Sequence, residues 1–268
     1  MSQITILLLY LLAAIAFAMS RLPRFAEQSR PYFIVAFLFT VIAIVLHVQD
    51  LVEFTLPAGG FSLSIGNAAS MIGAELAVIA LIAALEAPMR GMSAGMLVLS
   101  AGTMLLLGAS NDAGAAVTML WQVRAHVLIA LLSYGLLTVG AIVALFAIIQ
   151  ERRLQAAKIT PMNQLFAPLE TTEKLLIGIA AAGFAGLTLA IASGLSFVND
   201  LVEQHLAHKF GLSLVAWIIF GTLLAGRFFA GWRGKRAVKL YLWGFTALCL
   251  AYFGSRLILE EILNRSWG

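Results

Sequence analysis

Residues 121–134 read WQVRAHVLIALLSY, setting Arg124 and His126 at the mouth of an apolar run that continues to residue 149. Hydrocarbon offers no hydrogen bonds, so an ionisable residue at the edge of such a run is costly and points to function. Almost everything around it suits hydrocarbon. Of 268 residues, 62% are hydrophobic and 11% charged, with a mean hydropathy of +0.98. A soluble domain carries roughly a quarter charged residues, so the composition is that of a membrane protein.

A helix needs about 20 apolar residues to cross a bilayer. Eight runs approach that length: 3–20, 31–49, 68–86, 93–110, 121–149, 173–196, 210–229 and 240–258. None alternates with period two, which excludes a barrel. The expected fold is an all-α, polytopic integral membrane helical bundle of eight transmembrane helices, one domain over 1–268. The single cysteine, Cys249, rules out an intramolecular disulfide and a Cys-pair redox or zinc site.

Ala16-Phe17-Ala18 has the look of a signal-peptidase site, but Arg21 and Arg24 follow the apolar run and no basic residue precedes it. That polarity suits a retained first span with its N-terminus outside. Segments 21–30, 87–92, 150–172 and 230–239, with their flanks, then face the cytoplasm. They hold all of the 17 Lys and Arg residues except Arg124, Lys209, Arg256 and Arg265. The positive-inside rule thus supports both termini outside. Basic residues spread over four short segments form no nucleic-acid patch, and the partner they fit is the lipid bilayer.

Span 2 ends in LHVQD, placing His47 near the outer surface, before a turn-rich stretch containing Pro57, Gly59 and Gly60. Glu75 lies about 10 Å into span 3 at 1.5 Å per residue, the one carboxylate well inside an apolar run. In span 5, His126, Ala130, Ser133, Leu137 and Ala141 follow helical spacing, a stripe that lets a neighbouring helix or a flat ligand approach. Gly186, Ala190 and Gly194 of span 6 read as a helix-packing face. His205 and His208 fall in the outer segment 197–209.

Each of these residues has two readings. His126 and His47 are either metal ligands, each with its second nitrogen held by a hydrogen bond, or helix-end histidines bonded to a neighbour's carbonyl. Arg124, Lys209 and Arg256 at the outer rim either hold the two propionates of a haem or snorkel to the interface. Glu75 orients a histidine, carries a proton, or stands paired or protonated in the bundle. His205 and His208 are a metal pair or a solvated loop. No P-loop, GxSxG or HExxH is present.

Three segments, HVLIALLSYGLL (126–137), HKFGLSLVAWIIFGTLLAGRFFAGWRGKR (208–236) and AYFGSR (251–256), resemble the cytochrome c assembly, haem-handling membrane proteins of the CcsA/CcmC type. The likeness is strongest to their short YpjD/HemX-like branch. It implies an outer-face haem ligand at His126 and a second at His47, the two facing each other across the outer leaflet. The sequence departs from the family pattern in three places. Residues 197–209 lack the tryptophan-rich haem-presenting segment, SRLILEEIL follows the last span without a histidine, and Ala225 stands where a further histidine would be.

The resemblance therefore implies a multi-pass protein of the bacterial inner membrane that binds or handles a b-type, non-covalent haem. It would lack synthetase activity of its own and not be an enzyme. His126 and His47 would be the metal ligands, with Arg124, Arg256, Lys209 and Glu75 completing the cofactor site. Other haem-delivery or cytochrome assembly proteins would be its partners. The alternatives are a proton- or ion-coupled transporter using Glu75, and an accessory regulator of haem synthesis.

Overall fold

The computed structural model describes residues 3–56, 65–107, 120–155, 168–197 and 207–251. Among them the ordered structure is helical throughout: α1 (Gln3–Met19), α2 (Ser29–Thr55), α3 (Ile65–Ala83), α4 (Arg90–Thr103), α5 (Trp121–Gln155), α6 (Leu169–Phe197), α7 (Ala207–Ala230) and α8 (Lys235–Cys249). Five stretches are long and apolar enough to cross a membrane: Pro23–Thr55, Gly66–Ala83, Trp121–Gln155, Leu169–Ser196 and Phe210–Ala230. The helix α1 is apolar over a shorter 17 residues.

The outward faces carry the membrane signature. On α1, Ile4, Leu8, Leu12 and Ile15 are 50–64% exposed and share one stripe. The opposite stripe, Ile6, Tyr10, Ala13 and Phe17, is sealed. Large aliphatics facing outward are what a lipid solvent selects, and inside the bundle helix packing replaces hydrophobic burial as the source of stability.

Several boundaries differ from the expected spans, those of α5 and α4 among them. Helix α5 runs to Gln155, beyond the apolar run, because QERRLQ (150–155) consists of good helix formers. Within it, Gln155 Nε2 donates to Glu151 Oε1 at 3.4 Å. Helix α4 closes at Thr103, and residues 104–107 continue as turns.

By internal contacts the chain divides into two compact units, Met1–Arg124 with Ile149–Leu175, and Ala125–Ile148 with Leu176–Gly268. In the first, α1 packs on α2 and α4, and α3 packs on α4 and α2, closing a ring of four helices. Its turns are held by short polar bonds. Ser29 Oγ donates to the Ser20 carbonyl (2.7 Å), and Arg90 Nε donates to the Ala84 carbonyl (3.3 Å) with its guanidinium 4.1 Å over the Phe33 ring. The interface of α3 with α4 depends on Gly73, where a side chain would run into Thr103.

In the second unit the glycines of α6 receive α5. A side chain at Gly183 would meet Leu137, and one at Gly186 would meet Ser133. Ser133 Oγ also donates to the Gly183 carbonyl at 2.8 Å. Helix α8 is latched to α5 by Tyr241, whose hydroxyl donates to the Leu137 carbonyl at 3.0 Å over the bare backbone of Gly140. Helix α7 stacks Trp217 on Phe184 of α6, and the indole Nε1 donates to Thr188 Oγ1 (2.9 Å). The α7–α8 turn uses positive φ at Gly231 (63°) and Gly234 (60°).

Candidate functional site

His47 lies on the buried stripe of α2 formed by Ala36, Thr40, Ala43, His47 and Asp50, every third or fourth residue. The small residues of that stripe bring α1 close, and the imidazole is fully sealed. Both ring nitrogens meet hydroxyls. Nδ1 lies 3.0 Å from the Tyr10 hydroxyl of α1, and Nε2 lies 2.8 Å from Ser70 Oγ of α3. A neutral imidazole has one N–H and one lone pair, and hydroxyls satisfy both. Ser100 of α4 adds a donation to the Gly73 carbonyl at 2.7 Å. The four-helix ring is thus tied through its centre by a polar thread. As it stands, His47 offers no ring nitrogen to iron unless Tyr10 or Ser70 lets go.

Glu75, near the middle of α3, has both carboxyl oxygens buried with no hydrogen-bond partner among the described residues. A buried ionised carboxylate without a partner is strongly disfavoured. The geometry therefore suits a proton or a cation at this carboxyl.

In the second unit, His126 stands on the sixth residue of α5 and is half-buried. Its Nδ1 is 2.9 Å from Ser193 Oγ of α6, and that hydroxyl donates to the Ala190 carbonyl at 3.1 Å. The ring lies over Gly194: a β-carbon there would come 3.2 Å from His126 Cε1. The stripe Gly186, Ala190, Gly194 is thus a packing face, as its spacing suggests, and its upper end also seats the histidine.

Arg124 precedes His126 by two residues on the same helix, so their side chains leave α5 about 200° apart. Arg124 belongs to the first compact unit, His126 to the second. Lys209 and His208 fall in the first turn of α7, and their side chains lie outside what is described; His205, Arg256 and the turn residues Pro57, Gly59 and Gly60 lie outside the described residues altogether. Among the described residues no three His, Cys, Asp or Glu side chains gather to hold a bare metal ion.

Tyr10, Ser70 and Ser193 were not visible as site residues in the sequence. Tyr10 falls in a run that reads as structural, and lone serines in apolar spans are common. The available signal was positional, since Ser193 is next to the glycine that completes the small-residue stripe of α6.

Comparison with known proteins follows the same lines. Inner membrane protein YpjD of Escherichia coli (strain K12) is 35% identical over 137 residues, 51% of this chain and 52% of that protein. Cytochrome c biogenesis protein CcsA of Heterosigma akashiwo is 34% identical over 97 residues, 35% of this chain and 29% of that protein. The CcsA of Synechocystis sp. is 25% identical over 119 residues, 44% of this chain and 36% of that protein. The chain spans about half the length, or less, of these curated relatives. No solved structure matches it. The family model for cytochrome c assembly protein matches residues 1–263, and the protein therefore belongs to the cytochrome c assembly family.

Proposed function

We propose that this protein is a haem-binding or haem-handling component of the bacterial inner membrane, acting in cytochrome c biogenesis without synthetase activity of its own. In this reading it crosses the membrane eight times with both termini outside, and its partners are haem-delivery or cytochrome assembly proteins. The observation that carries it is His126, whose Nδ1 is held by a hydroxyl on the neighbouring helix and whose ring is only half-buried. That is the arrangement of a metal-binding histidine, whose ring is oriented through one nitrogen by a second residue. A haem would bring ring nitrogens of its own, so one histidine of this chain would suffice where, among the described residues, no three His, Cys, Asp or Glu side chains gather.

The donor set fits a b-type, non-covalent haem at His126. A haem bound there would supply the iron, with His126 offering an imidazole nitrogen and Ser193 orienting it. His47 qualifies as a ligand only in a state where Ser70 or Tyr10 releases a ring nitrogen. Arg124, Lys209 and Arg256 remain the candidates for the propionates. The lack of tryptophan in 197–209 supports a binding role over a synthetic one. The test is an oxidised and reduced absorbance spectrum of the detergent-purified protein. A Soret band weakened by His126→Ala is expected, and a haem-free preparation with no affinity for added haemin refutes the proposal.

A second reading is favoured by Glu75, whose two buried oxygens have no hydrogen-bond partner among the described residues. It makes the protein a proton- or ion-coupled carrier. Loss of coupled uptake in proteoliposomes on Glu75→Gln, with haemin binding unchanged, would favour it over the first. An accessory role in regulating haem synthesis remains compatible with the first reading and differs from it in requiring a stable protein partner.

A further inference from the structure

The contact between His126 and Ser193 carries more than proximity. The Ser193 hydroxyl has one hydrogen and two neighbours within hydrogen-bond distance, His126 Nδ1 at 2.9 Å and the Ala190 carbonyl at 3.1 Å. The carbonyl can only accept. If the serine hydrogen goes to it, the serine oxygen is left as an acceptor facing Nδ1. Nδ1 must then carry the imidazole proton, and the lone pair of the neutral ring resides on Nε2.

Gly194, the next residue along α6, fixes the other coordinate. With no β-carbon at 194, the His126 ring approaches the α6 backbone closely, and a methyl there would leave only 3.2 Å to Cε1. Ser193, together with the Ala190 carbonyl that it shares with His126, sets which nitrogen is basic, and Gly194 sets where the ring lies. Both are on α6, while the histidine is on α5, so the device holds only while the two helices stay packed. Ser133, two turns further along α5, contributes to that packing through its bond to the Gly183 carbonyl.

We propose that Ser193 is a positioning residue that fixes His126 as the Nδ1–H tautomer, presenting Nε2 to a metal-bearing ligand, with Gly194 setting the ring's place. This rests on the reading of His126 as a haem ligand, and it adds a residue, a tautomer and a nitrogen to that reading. Partners of this kind typically change metal affinity about 10- to 100-fold when removed. The hydroxyl, rather than serine's bulk, is the active feature, so threonine at 193 serves as well.

The experiment is haemin titration of the full-length purified protein, read by the Soret band and by the spin state of the oxidised form. Ser193→Ala is expected to weaken binding about 10-fold or more and to shift the spectrum away from a strong-field imidazole ligand, while Ser193→Thr keeps both. A chemical version avoids dependence on the folding of any one variant. In a His126→Gly protein, free imidazole is offered beside 1-methylimidazole, which has no N–H to give.

With Ser193 present, imidazole should restore the spectrum at a concentration several-fold lower than 1-methylimidazole does, and Ser193→Ala in the same background should erase that preference. Equal rescue by the two ligands with Ser193 in place overturns the proposal, as does wild-type affinity and spectrum in Ser193→Ala. The outcomes separate the two levels of inference. Failure of the wild-type protein to bind haemin refutes haem binding itself, whereas binding that depends on His126 but not on Ser193 refutes only the positioning role.

Discussion

Deleting a single atom, the phenolic oxygen of Tyr10, tests whether the polar thread through the first helix ring holds it together. Tyr10 and His47 are both fully buried and lie 3.0 Å apart at oxygen and Nδ1. In Tyr10→Phe the imidazole keeps Ser70 but loses its other partner in a place water does not reach. A buried polar group left without a partner costs about 1–3 kcal/mol. Side-chain hydrogen bonds inside membrane proteins, measured by double-mutant cycles, average about 0.6 and reach about 1.7 kcal/mol.

The two ranges overlap at about 1–1.7 kcal/mol, which is the destabilisation expected of Tyr10→Phe. In a His47→Leu background the cost should fall. The Tyr10 hydroxyl then keeps only its hydrogen bond with Ser100, and no buried imidazole is left unpartnered by its removal. The four proteins of this cycle can be unfolded by titrating a denaturing detergent into mixed micelles and following helical circular dichroism. A coupling of about 0.5 kcal/mol or more is expected; Tyr10→Phe costing the same in both backgrounds, within about 0.3 kcal/mol, would refute the account. Haemin titration of the same variants adds a functional readout. If His47 is a ligand held back by Tyr10, freeing about 1.4 kcal/mol raises haemin affinity about tenfold; if His47 only braces the ring, affinity stays where it was.

Other perturbations follow from close approaches. Gly73→Ala drives a methyl into Thr103 and should cost about 1–3 kcal/mol, and Thr103→Ala in the same chain should recover part of it in the same unfolding assay. Gly140→Ala gains about 1 kcal/mol of helix propensity but collides with the sealed Tyr241, so a net loss is expected, measured as a lower melting temperature in detergent. At the α7–α8 turn, Gly234 sits at φ 60°, ψ −139°, a conformation essentially confined to glycine. Gly234→Ala should therefore cost about 1–3 kcal/mol, whereas Gly231→Asn, at φ 63° with open space around it, should be tolerated.

How much of this was legible in advance depended on the kind of signal. Hydropathy alone separates membrane from water, so the helical membrane architecture and the approximate helix positions could be read from runs of leucine, isoleucine and alanine. The glycine stripe of α6 was legible because regular spacing has one physical meaning, close helix approach. The partners of His47 were not. Tyr10 and Ser70 come from helices 37 and 23 residues away in sequence, and nothing local marks a tyrosine that will meet an imidazole. Ser193 was hidden for the same reason, 67 residues from the histidine that it touches. The length of α5 was missed because its last turn, QERRLQ, is polar and a search for apolar runs stops before it.

The distribution of residue size between the two sides of each helix has a bearing on tolerance to change. The sealed positions of the first ring include Ala13, Ala36, Ala43, Ala77, Ala80 and Ala84, while leucine and isoleucine at 8, 12, 15 and 82 look outward. In a water-soluble protein the large aliphatics are the intolerant sites and the surface alanines the permissive ones. Here a saturation mutagenesis map should permit drift among the outward leucines and isoleucines, while the sealed alanines, with Ile6, Leu76 and Leu97 beside them, hold the specification of the bundle.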